Sequence, residues 1–291
     1  MLDEVVDFGE AMQLLVLELI KKVCRASPSE KGKYIRIIIN FLNSPSCAVQ
    51  YEAACTLFSL SKSATAVRAA AGTLCKLLAQ QSDNNIKLIV LDRLLELKKS
   101  SKEVMQEMLM DVMKVLSSPN LEIRSKVLDI VMDLVNPSNI DEVVGILKKE
   151  VMKTQTEDYD KNVDYRQLLI KCIHQCAVNF PDVAGAVVHL LMDFLGDASG
   201  QVNNTRCKVR PIKVEPVRDD VALIISPSMQ AAVDVVFFLR EIVQSFPALA
   251  DSVVEKLMSS FDQIKSSRVF RCGHTLTPFS MAESGLVSTH S

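Results

Sequence analysis

The residues best placed to do chemistry are Cys172, His174 and Cys176, which fall within one turn of a helical pattern. Thiols four residues apart share a helix face, so the pair invites a zinc reading. A structural zinc site needs four ligands held tetrahedrally, and no second pair lies nearby in the sequence. Cys176 also falls on an apolar stripe, which favours packed thiols over metal ligands. Cys272-Gly273-His274 is a lone near-pair in a stretch without helical period. Nucleophilic catalysis would want a Ser or Cys elbow with glycines, a base and an oxyanion site. No GxSxG, glycine-rich phosphate loop or HExxH occurs. Asp92, Arg93 and Glu96 read as a solvated helix surface with pairs one turn apart, each contributing about 0.3 to 0.5 kcal/mol. No catalytic, cofactor-binding or metal residue is therefore assigned, no cofactor or small-molecule substrate is expected, and the chain reads as a non-enzymatic protein.

The elements that would carry these residues are helices. The 291 residues are 48% hydrophobic, with 9 Gly, no Trp and 5% aromatics, which suits helical packing better than a large β sandwich. A net charge of −2 speaks against a general affinity for nucleic acid, which needs a dense basic face. Glu18 interrupts the apolar stretch from Leu14 to Ile20, and no apolar run approaches the roughly 20 residues of a membrane span. No secretion signal is apparent, so residence in the cytoplasm and reduced state for the 8 cysteines are expected.

A repeat is visible on counting. Val49, Ala53, Leu57 and Leu60 are spaced to lie on one helix face, and so are Ile86, Val90, Leu94 and Leu97, then Ile123, Val127, Val131 and Leu134. Each set is displaced by about 37 residues from the last, a period in the range of stacked helical repeats, and the same step backwards reaches Met12, Val16, Ile20 and Val23. The next residue along is polar or cationic each time: Gln13, Gln50, Lys87 and Arg124. Turn chemistry precedes three of the sets, in Asn43-Ser44-Pro45-Ser46, Ser82-Asp83-Asn84-Asn85 and Ser117-Ser118-Pro119-Asn120, and offers oxygens to cap the helices that follow. Partner helices lie between, marked by Ile38, Phe41 and Leu42, then Cys75, Leu78 and Ala79, then Val112, Val115 and Leu116. Each period is thus a hairpin of two helices of about 14 residues, about 21 Å long, and neither hairpin covers its own apolar side. Stacking follows.

The ladder resumes at Tyr165, Leu169, Ile173 and Cys176, with Arg166 in the cationic place and the surplus length in Thr154 to Asp158. It resumes again at Ala231, Val235, Leu239 and Ile242, before a further helix over Ala248 to Ile264. The recurring cations are expected to bond acids or carbonyls in the loops between repeats. The predicted organisation is helical repeats over 1–199, an irregular insertion over 200–228 with a basic cluster from Arg206 to Arg218, a further repeat over 229–267, and an irregular tail over 268–291. Both ends stop in mid-repeat, so the chain reads as an excerpt of a longer protein. The fold class is all-α, an α-solenoid of hairpins similar to HEAT and armadillo repeats.

Asn43-Ser44-Pro45 with Val49 and Ala53 resembles the repeats of HEAT and adaptin trunks. The runs LELIKKVCRASPSEKGKYIR, AVQYEAACTLFSLS, QSDNNIKLIVLDRLLELK, SSPNLEIRSKVLDIVMDLV, LKKEVMKTQ and VVHLLMDFLGD are similar to the adaptin-like trunk of the coatomer beta family, over roughly Asp7 to Asp197 and again from about Ala231 to Arg271. The segment from Gly200 to Ser228 and the tail after Cys272 depart from the family pattern. The resemblance implies a scaffold subunit of the COPI vesicle coat in Golgi-to-ER and intra-Golgi transport. It implies partners among the other coatomer subunits, notably delta, and an Arf-family small GTPase, with peripheral attachment to Golgi membranes and coated vesicles. The alternatives from the repeat alone are another binding scaffold, such as a nuclear transport receptor or a phosphatase scaffold, or an enzyme with its site on the inserted loop.

Overall fold

The computed structural model describes residues 5, 7–156, 162–200 and 227–260; the tail from 268 and nearly all of the insertion lie outside them. Every regular element among the described residues is helical, with no strand, and the fold is all-α, of the α-solenoid class. Two units divide the chain, one to Asn136 and one from Pro137.

In the first unit, α1 (Glu10–Ala26), α3 (Cys47–Leu60), α5 (Asn84–Ser100) and α8 (Leu121–Leu134) form one layer, each packed on the next. The helices α2 (Lys31–Phe41), α4 (Ala64–Gln80), α6 (Lys102–Glu107) and α7 (Leu109–Met113) form the other, closed by a 3₁₀ turn at Lys114–Ser117. The turn residues act as the spacing predicts. Ser46 accepts from the amide of Val49, Asp83 from that of Asn85 and Asn120 from that of Ile123, satisfying amides that a helix start leaves unpaired. Val90, Leu94 and Leu97 are buried along α5, and Ile123, Val127, Val131 and Leu134 along α8. Ile38, Phe41 and Leu42, and Val112, Val115 and Leu116, are buried in the second layer.

Three expectations need correcting. On α1 the buried face is Gln13, Leu17, Ile20 and Cys24, one residue round from the predicted stripe, while Met12 and Val23 are exposed. This helix is apolar on most sides, so counting cannot choose between its stripes; the choice is made where the Ser44 hydroxyl donates to Gln13 Oε1 at 3.0 Å. Ala79 is exposed near the end of α4, and Leu60 and Ile86 are half-buried at helix ends. The third partner helix is not continuous but breaks at Met108, with φ −90° and ψ 0°, into α6 and α7.

In the second unit, α10 (Val163–Asn179) packs on α12 (Pro227–Ser245), and α11 (Pro181–Gly200) lies between α9 (Ile140–Thr156) and α13 (Ala250–Ser260). Tyr165, Leu169, Ile173 and Cys176 are buried on α10, and Val235, Leu239 and Ile242 on α12, as their spacing predicts. A 3₁₀ turn at Pro247–Leu249 precedes α13, so the predicted last helix starts slightly late. Thr154 to Thr156 belong to α9 and not to a loop, and helices take in Gly200 at one edge of the insertion and Pro227 and Ser228 at the other.

Candidate functional site

Polar side chains at the recurring places on α3, α8 and α10 brace the turns from within. Gln50 Nε2 donates to the Ser44 carbonyl at 2.6 Å, and Arg124 Nε to the carbonyls of Leu116 and Ser118 at 3.2 and 2.5 Å. Arg166 is buried, and its Nη2 donates to the Thr154 carbonyl at 2.5 Å while Nε reaches Thr154 Oγ1 at 3.4 Å. In each case a side chain in the first turn of one helix reaches back to carbonyls at the end of the preceding helix or in the turn. Those carbonyls have no partner inside their own helix, so the arrangement supplies donors where they are lacking. Lys87 is half-buried. Gln50, Arg124 and Arg166 therefore tie the start of one helix to the turn or helix end before it.

A second set of contacts ties helix to helix at the surface. Arg93 Nε donates to the Tyr51 hydroxyl at 3.0 Å and its Nη1 pairs with Glu96 at 2.6 Å. Lys126 pairs with Asp92 at 2.9 Å, Lys21 with Glu52 and Lys98 with Asp133. Arg68 grips Glu107 through two bonds of 2.6 and 2.8 Å between α4 and α6. Sequence reading placed Asp92, Arg93 and Glu96 on the surface but missed that most of these pairs cross from one repeat to another. Opposite charges separated by about one repeat were the available signal.

Cys172 and Cys176 are both buried on α10. Burial pushes the Cys176 thiol up to about 12, with a smaller push from Cys172, and burial likewise holds Cys75 at about 12. Both of these thiols are protonated at neutral pH, unlike an activated nucleophilic thiolate. Among the described residues no three His, Cys, Asp or Glu side chains converge on one point. His174 is turned to α12, where its ring stacks on Phe238 with centroids 4.1 Å apart and planes 11° from parallel, and Nε2 lies 3.3 Å from Glu241 Oε2. Cys272 and His274 lie outside the described residues.

His174 makes a pH prediction. Loss of solvent lowers its pKa from the usual histidine value, and the Glu241 carboxylate opposes this only in part. The unfolded chain then takes up the proton first, so this stabilising contribution is complete above about pH 6.5 and is lost as pH falls through that value towards the lower folded pKa. Urea melts of the protein and of His174→Gln between about pH 7 and 5 should show a steeper loss of stability in the unaltered chain. Parallel losses would remove the histidine from the account.

The surface also carries an apolar face. Met12, Leu15, Leu19 and Val23 of α1 are 39 to 51% exposed, and Phe8 just before the helix is 43% exposed. Elsewhere among the described residues, large exposed apolar side chains occur singly, such as Ile89, Leu121 and Phe237.

The first unit is thus two layers of helices braced at their turns, and comparison with known proteins assigns the chain to a family. Residues 1–210 match the Adaptin N terminal region family. The chain belongs to that family. Among relatives of this adaptin-type chain, coatomer subunit beta-2 of Arabidopsis thaliana is 48% identical over 98% of the chain. Coatomer subunit beta of Dictyostelium discoideum is 46% identical over 93%, and that of Sus scrofa 44% identical over 93%. The adaptin-type chain spans 26 to 27% of the length of these three relatives. None of its described helices is long and apolar enough to cross a membrane.

Proposed function

We propose that this chain is part of the trunk of a COPI coat scaffold subunit, the coatomer beta subunit, acting in Golgi-to-ER and intra-Golgi vesicle transport. The observation that carries the reading is 48% identity over 98% of the chain to a protein named coatomer subunit beta-2, together with an all-α fold of packed helices. On this reading the chain does not catalyse. Its two helix layers dock other coatomer subunits, notably delta, and an Arf-family small GTPase in its GTP state. Attachment to the cytoplasmic side of Golgi membranes and vesicles is then peripheral and runs through the assembled coat. The turn-bracing side chains and the ion pairs between repeats serve this role mechanically, because partners that bind several repeats need those repeats held at fixed spacing.

The test is an affinity pull-down from cytosol with the tagged chain, read by mass spectrometry, with and without a GTP-locked Arf protein. Recovery of coatomer subunits, delta among them, is the expected result. Recovery of nuclear transport cargo or phosphatase subunits in their place would overturn the coat reading.

A further inference from the structure

We draw no further inference here: the strongest candidate, the exposed apolar face of α1 formed by Met12, Leu15, Leu19 and Val23 with Phe8 just before it, carries nothing because nothing in the structure shows what covers it.

Discussion

Replacing Leu94 by Asp should collapse the first unit, lowering its stability by about 5 kcal/mol or more. Leu94 is fully buried on α5, which packs on α3, α4, α6 and α8. The substitution removes apolar contacts and cavity-filling volume, which alone costs about 2 to 5 kcal/mol. It also places a carboxyl group where nothing apolar can solvate its charge, so the group either stays protonated or draws water into the seam. Since whole domains are stable by only about 5 to 15 kcal/mol, the loss approaches the total. Urea melts followed by circular dichroism should show the transition moved to very low denaturant or absent. Ile89→Asp on the same helix is the control: Ile89 is 51% exposed, and its replacement should shift stability by less than about 0.5 kcal/mol. Superimposable melts for Leu94→Asp and the unaltered protein would show that α5 does not face the seam.

The second large effect is expected at Arg166. The residue is 3% exposed, and its guanidinium donates to both oxygens of Thr154 near the end of α9. Arg166→Ala removes charge-assisted bonds worth about 1.5 to 3 kcal/mol each and leaves a buried carbonyl without this donor, so a loss of about 3 kcal/mol is expected from the second unit. Arg166→Lys should not restore it, because an ammonium on a flexible stem cannot reproduce the planar fork that reaches carbonyl and hydroxyl together. The equivalent Arg124→Ala should cost less, since Arg124 is only half-buried. A lysine variant as stable as the unaltered chain would mean that charge alone, without the fork, holds the turn.

The residues show why some of this was legible beforehand. Ser46, Asp83 and Asn120 cap helices because a short side chain with an oxygen finds the amides two or three residues ahead, a local matter that needs no knowledge of the rest of the chain. The stripes on α5, α8 and α10 were readable because each of those helices has charged residues on the outside, leaving one apolar side. On α1 two apolar sides exist, and nothing within 17 residues of sequence tells them apart. The break at Met108 was equally hidden, since neither Pro nor Gly marks it. His174 was read beside the cysteines of its own helix, whereas its neighbours are Phe238 and Glu241, more than 60 positions away.

Sequence alone determined the class of this protein: helices started by side-chain caps, striped at an interval of about 37 residues, and unable to bury those stripes except by stacking. It also determined the likeness to adaptin-type coat subunits. Tertiary structure decided which of two apolar faces α1 turns inward, which carbonyls Gln50, Arg124 and Arg166 reach, and which charges meet across neighbouring repeats. The physical reason is range. Caps and helical periodicity act over one or two turns, so the order of residues specifies them, whereas the choice between equivalent faces and partners is made only when helices distant in the chain compete for the same space.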